Sequence, residues 1–260
     1  MNASSALRPQ KAAMLVAQRI VQDAVREQRK PGDLLLPERT MVEKYGAGRG
    51  TVREALRLLE VQGVISLKPG PRGGPVLRTP DGSHLASTVV LLMQLQGAPF
   101  RAIVEVRGAL EPMISSLAAQ RITPESLDEL SDTIDQMHRD MDDQDSFLEA
   151  NRRFHDVIAQ SSGNPLLGYM IESLHGILDG TALGVDYPTH RREAIVVAHE
   201  EIFEALKAGD PEASGARMRQ HIEAYERYAE RKFPHVMEAS IRGTTPRTSA
   251  CPPSSTRRWA

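Results

Sequence analysis

Cysteine is almost missing from this chain: the single one, Cys251, lies in a Pro/Ser-rich stretch near the end. That excludes a disulfide framework and a zinc site built on cysteine, and it suits a reducing compartment, so the expected location is the cytoplasm. Long apolar runs are missing as well. No stretch approaches the roughly 18 residues that a membrane span needs, and Met1–Gln10 has no apolar core of the signal-peptide kind, so no membrane partner is expected. Charge of one sign does not dominate: the formal net charge is −2. That small number hides a split. Residues 1–80 hold 14 Lys/Arg against 7 Asp/Glu, a net of +7; residues 81–234 hold 14 against 26, a net of −12; residues 235–260 have a net of +3. A basic head on an acidic body points to a head that alone meets a polyanion. At 260 residues there is room for two domains, each with its own core.

In the head, residues 1–10 are expected to be disordered. From Lys11 to about Gln28, Leu15, Ile20, Val21 and Val25, with Ala17 and Ala24, give a helical apolar face, and Lys30-Pro31-Gly32-Asp33 ends it in a turn. Glu38 to Tyr45 reads as a short second helix with Pro37 at its first turn, and Gly46-Ala47-Gly48 makes a corner. A third helix follows, up to Gly63. Its Val52, Ala55, Leu56 and Leu59 form one apolar stripe, whereas Arg49, Arg53 and Arg57 recur every four residues on a different face. Thr51 can cap its N-terminus, and Gly63 suits its stop. Two short helices joined by a tight turn make a helix-turn-helix pattern. A row of arginines on the open side of the second suits guanine edges or phosphates, which the guanidinium fork binds with two donors; a solvated amphipathic helix is the plainer alternative.

After Gly63 the period changes. Val64-Ile65-Ser66-Leu67 is a short β run, Lys68 to Pro75 is a Gly/Pro turn, and Val76-Leu77-Arg78 can return as a second strand. This is a hairpin wing whose Lys68 or Arg72 could enter a minor groove or meet phosphate; an ordinary surface hairpin is the alternative.

Pro31-Gly32, Leu36-Pro37-Glu38-Arg39, Thr51-Val52-Arg53-Glu54-Ala55-Leu56-Arg57, Gly63-Val64-Ile65 and Gly70 together resemble, in order and spacing, the winged helix-turn-helix of GntR-type bacterial transcription regulators. The resemblance covers about residues 11–78 and implies DNA contacts by Arg39, Arg49, Arg53 and Gly70. The chain departs from the family pattern at Gly46-Ala47-Gly48-Arg49-Gly50, where a Val-Ser-Arg or Val-Thr-Arg triplet is usual; the change removes a hydroxyl that would cap the helix or touch phosphate.

Residues 79–83 read as a linker, 84–234 as an all-helical domain and 235–260 as a disordered tail rich in Ser, Thr, Pro and Arg. An apolar helix from His84 to Gln96 precedes six helical segments: about 100–121, 124–141, 144–161, 165–179, 190–208 and 211–233. Thr123-Pro124 and Asp210-Pro211 are cap-then-proline starts. No strand signals appear here. The expected fold is mainly α: an N-terminal winged helix-turn-helix plus a C-terminal antiparallel all-α bundle of six to seven helices.

The body resembles the all-helical effector domain, of the FCD type, that accompanies this head in the FadR branch of the family. The pieces are Glu105-Val106-Arg107 with Leu110-Glu111-Pro112, Asn151 with Phe154-His155, Gly163-Asn164-Pro165, His199 with Gly209-Asp210, and Met218-Arg219-Gln220-His221. Any one histidine alone is ordinary, and His84, His138, His175, His190 and His235 are read that way. Asn151 and His155 lie one helical turn apart, and His199 and His221 lie about equally far either side of the Gly-Asp-Pro turn, so antiparallel helices can bring them level. The resemblance implies that Asn151, His155, His199 and His221 hold a divalent metal, Zn2+ first, with Ni2+ or Mn2+ also suited to imidazole donors. An acidic residue is usual where Asn151 stands; its neutral carbonyl predicts weaker metal binding. Arg107 is the candidate fork for a carboxylate effector, or else a helix-surface salt bridge.

The function expected is a homodimeric DNA-binding transcription regulator, a repressor acting at a pseudo-palindromic operator of double-stranded DNA, controlled by a small carboxylate metabolite bound with the metal. Two alternatives stand beside it: a regulator responding to a fatty-acyl or other lipid effector without metal, and, remotely, a metal-dependent hydrolase carrying a DNA-binding head. No well-placed carboxylate is evident to serve the hydrolase as general base.

Overall fold

The protein is described by a computed structural model covering residues 3–70, 73–79, 81–178 and 187–241, with backbone alone for 3–9. The tail beyond Ile241 and Arg72 in the wing lie outside the described residues. The chain divides into two compact units at His84/Leu85.

In the first unit, α1 spans Ala3–Arg26, α2 Glu38–Tyr45 and α3 Arg49–Val61. Helix α1 begins well upstream of Lys11, so the stretch expected to be disordered is helical from Ala3. Ala6, Leu7 and Arg8 are good helix formers in that stretch, and a helix that is already packed extends at little cost. The face that α1 buries also differs from the expected one. Leu15 and Val25 are exposed, while Ala13, Val16, Ala17, Ile20 and Ala24 are buried. Small side chains on that face let α3 approach closely, a preference that a count of large apolar residues does not reveal. Against it α3 buries Val52, Ala55, Leu56 and Leu59 as its stripe requires. Gly46, at φ 60°, ends α2 in the left-handed conformation that glycine adopts without penalty.

Strands β1 (Ile65–Lys68) and β2 (Gly74–Leu77) pair antiparallel with Ile65 opposite Leu77 and Lys68 opposite Gly74. The lead-in to α2 joins this wing: Leu35 N donates to Pro75 O (2.8 Å), Leu77 N to Asp33 O (2.9 Å), and Leu34 bridges Val76. The wing is thereby tied to the helices by backbone bonds and by buried Ile65.

Among the described residues the second unit is helical, starting with α4, Ser83–Gln96, which begins two residues before the boundary, then α5 Arg101–Ala119, α6 Pro124–Arg139, α7 Gln144–Ser161, α8 Pro165–Ile177, α9 Thr189–Lys207, α10 Pro211–Lys232 and a short α11, Pro234–Met237. The starts follow the local chemistry. Thr123, Asp143, Asn164 and Asp210 each cap a helix with a side-chain oxygen, and prolines stand in the first turns of α6, α8 and α10. Phe100, Leu130, Met137, Phe147, Phe154, Ile158, Ile171 and Ile202 are almost wholly buried at the centre.

Helices α5 and α10 form the tightest seam. Ser115 Oγ and Ser214 Oγ are 2.7 Å apart, and Ser116 Oγ donates to Pro211 O at 2.7 Å. A Cβ on Gly215 would lie 2.3 Å from Ser116 Oγ and 3.0 Å from Pro112 O. The two helices run antiparallel, so moving back along α5 to Glu111 and Arg107 means moving forward along α10 to His221 and Tyr225.

The start of the expected disordered tail is ordered. Val236, Met237 and Ile241 are buried in the bundle core. Phe100 N donates to Ala239 O (3.1 Å) and Ile241 N to Ala98 O (3.4 Å), and Arg101 pairs with Glu230 and Glu238. Three apolar side chains and a backbone bridge to residues 98–100 outweigh the polar composition that follows.

Candidate DNA-facing helix and metal centre

The arginines of α3 stand where the pattern places them. Arg49, Arg53 and Arg57 are all exposed, about one turn apart along a 13-residue helix. Arg53 Nε donates to Glu38 Oε1 at 2.9 Å, so the first residue of α2 holds a side chain of α3. Arg39 is exposed, with Glu43 3.8 Å away. In the wing, Lys68 is exposed and Gly70 has φ 105°. Thr51 does not cap α3. The helix starts two residues earlier, at Arg49, with Gly48 as its N-cap and no side-chain cap bond. Without the usual hydroxyl at the corner the backbone turns into helix sooner, and Thr51 becomes a first-turn residue.

In the bundle, α7, α9 and α10 bring His155, His199 and His221 together. His221 Nε2 lies 3.3 Å from His199 Nε2 and 3.3 Å from His155 Nε2. All three residues are buried. Phe154 stacks flat on His199, 4.0 Å between ring centres, and fixes its plane. Zn–N bonds of about 2.0–2.1 Å in a tetrahedron imply N···N edges of about 3.3–3.4 Å, which these separations match. Burial, and then the neighbouring imidazoles, hold His199 and His221 well below the usual histidine range; burial also lowers His155, partly opposed by Glu111. A neutral imidazole nitrogen either donates or accepts a proton, so N–H···N bonds can link these atoms only in a mixed tautomer arrangement, whereas one cation satisfies three lone pairs at once. The buried His199 Nδ1 has no hydrogen-bond partner among the described residues. The donor set therefore fits a divalent metal. Asn151 stands one turn before His155 on α7 and is half-buried.

Behind His155 stands Glu111, a residue that periodicity does not single out. Its Oε2 is 2.6 Å from His155 Nδ1, a close polar contact that falls short of hydrogen-bond alignment. Its Oε1 pairs with Arg107 Nε and lies 3.6 Å from His175 Nε2. His175, read from the sequence as ordinary, is buried with Nδ1 2.9 Å from Asp156 Oδ1. Burial disfavours the charged form of Glu111, but Arg107 and then His155 outweigh it and keep the carboxyl ionised, well below its usual range. Carboxylates behind a ligating histidine commonly fix which ring nitrogen faces the metal; here Glu111 leaves Nε2 turned to the other imidazoles. Glu111, His155 and His175 also converge closely enough to hold an ion, but Arg107 already neutralises that carboxylate. Arg107 is thus in a salt bridge, though a buried one. The i, i+4 spacing of Arg107 and Glu111 is the one sequence signal that could have found it.

Residues 13–72 match the family described as bacterial regulatory proteins, gntR family, and residues 102–224 match the FCD domain. Over 210 residues the chain is 33% identical to the uncharacterized HTH-type transcriptional regulator YcbG of Bacillus subtilis (strain 168), covering 81% of this chain and 86% of that one. It is 28% identical over 193 residues to the galactonate operon transcriptional repressor of Escherichia coli (strain K12), covering 71% and 82%. Streptococcus agalactiae GntR shares its structure with a TM-score of 0.64 at 25% identity, over 83% of this chain and 99% of that one. These relatives are transcription regulators and not enzymes, which removes the hydrolase alternative. With a GntR helix-turn-helix at its front and an FCD domain behind it, the chain belongs to the GntR family of bacterial transcription regulators.

Proposed function

We propose that this regulator is a cytoplasmic homodimer of the FadR branch that represses transcription from a pseudo-palindromic operator and releases it when a small carboxylate metabolite binds in the FCD domain. The observation that carries the metabolite half is the convergence of three buried imidazoles, with His221 Nε2 3.3 Å from the Nε2 of each of the other two. His155, His199 and His221 would hold the metal, with the Asn151 carbonyl as a further donor. A divalent ion, Zn2+ in the first instance, would supply Lewis acidity and open positions for oxygen donors. The four donors are all neutral, and Glu111 is spent on Arg107, so an anion is the partner that balances the charge. Arg107 keeps donors of its guanidinium for that anion.

At the other end, Arg39, Arg49, Arg53, Thr51, Lys68, Gly70 and Arg72 are proposed as the DNA contacts. The exposure of Arg49, Arg53 and Lys68 supports the assignment. Glu38 would orient Arg53 through their 2.9 Å bond. Coupling requires the acid to bind the two arrangements of the paired heads unequally. The test is a mobility shift with full-length protein on a promoter fragment that it enriches from genomic DNA. Replacing Arg49 and Arg53 by alanine is expected to weaken binding by about 1–3 kcal/mol per lost base contact. Unchanged affinity in the double variant defeats the DNA-contact assignment.

A further inference from the structure

One helical turn from the imidazoles lies a second polar layer that a metal-bound carboxylate alone leaves unused. Tyr225 follows His221 by four residues on α10, on the same face. The residue is only 7% exposed, and its hydroxyl is buried without a well-formed hydrogen bond. The Tyr187 hydroxyl is its near neighbour, close enough that each affects the other's ionisation. Arg107 reaches the same level, with Cζ 6.0 Å from the centre of the Tyr225 ring. One step further, Arg191 lies over the Tyr228 ring at 4.8 Å, and its buried Nε–H has no partner among the described residues.

The Tyr225 O–H and the Arg191 Nε–H each carry a proton to donate, and neither finds an acceptor with good geometry among the described residues. Leaving buried donors unpaired is costly, so the layer is built to be completed by something. The charges specify it further. Glu111 balances Arg107, but among the described residues no carboxylate pairs with Arg191. Building on the acid-effector reading above, we propose that this layer receives the far end of the effector and that the far end is a second carboxylate. The ligand class is then a short-chain dicarboxylic acid, with one carboxylate at the imidazole cluster and the other held by the Tyr225 hydroxyl and Arg191. Four residues of helix separate His221 from Tyr225 by roughly 6 Å, the span of a short acid and not of a fatty-acyl tail. An acyl chain would press methylenes against those donors and leave them unsatisfied.

Calorimetric titration of the Zn2+-loaded full-length protein with succinate and glutarate, set against the chain-matched monoacids butyrate and valerate, tests this. A diacid is expected to bind at least about tenfold more tightly than its matched monoacid. Tyr225→Phe and, separately, Arg191→Gln are expected to reduce that advantage to about threefold or less, because each removes one donor to the second carboxylate. Monoacids binding as tightly as diacids, or an advantage that survives both substitutions, overturns the inference and leaves the acid-effector reading standing. Preference for a long-chain acyl ligand overturns it as well. Failure of every acid to bind overturns both.

Discussion

Glu111 holds three partners at once: the guanidinium of Arg107, the Nδ1 side of His155 and the edge of His175. Removing it leaves Arg107 buried without a counter-ion, so Glu111→Ala is expected to cost about 3–5 kcal/mol in chemical denaturation. It also frees the His155 ring, and Zn2+ affinity measured by chelator competition is expected to drop about 10–100-fold. Gly63 sits at φ 70°, and a Cβ there would meet the His84 ring at 2.1 Å. Gly63→Ala is therefore expected to destabilise the first unit by at least about 1 kcal/mol, read as a lower urea midpoint. His155, His199 and His221 were legible because the resemblance picks out their motif. The roles of Glu111 and His175 were not: the i, i+4 spacing of Arg107 and Glu111 allows an ion pair, but the burial of that pair and its contact with His155 depend on which helices face it. The choice of Thr51 as a cap failed for a related reason: a hydroxyl near a helix start is a cap only if the backbone turns there, and here it turns at Gly48.

At the scale of elements, the α5–α10 seam sets the height of Glu111 against His221. Small residues make it possible, since Ser115, Ser116, Ser214 and Gly215 let the helices approach within hydroxyl contact. Gly215→Val forces Ser116 and the Pro112 carbonyl aside and is expected to cost about 1–3 kcal/mol by thermal or chemical denaturation. The helix boundaries of the bundle could be read from Thr123, Asp210 and the prolines after them, because caps act locally. The buried face of α1 and the order of the 235–241 segment could not. In the first, alanines rather than leucines turn inward; in the second, Val236, Met237 and Ile241 find a site on residues 98–100 that is remote in sequence. Met237 is fully buried, so Met237→Ala is expected to lose about 2–5 kcal/mol of stability. A value near zero would mean that the segment detaches from the bundle without consequence.

For the whole molecule, charge and fold divide at the same place. The basic net charge of +7 lies in residues 1–80, and the compact units part at His84/Leu85. DNA affinity carried by phosphate contacts is expected to fall steeply with salt, with a log–log slope near −0.9 for each phosphate neutralised, and Lys68→Ala is expected to flatten that slope by about one contact. The mainly helical, two-part fold was legible because period and caps change sharply at Gly63 and again after Arg78. The proposed metabolite response rests on a metal centre at the buried imidazoles of the FCD domain. Elemental analysis of the full-length protein, saturated with Zn2+ or Ni2+ and then freed of loose ions by gel filtration, tests it most directly. Equimolar metal is expected in the wild type, with loss of most of it in a His199→Ala/His221→Ala variant that keeps its helical circular dichroism. A wild-type protein that emerges metal-free from both ions would contradict it.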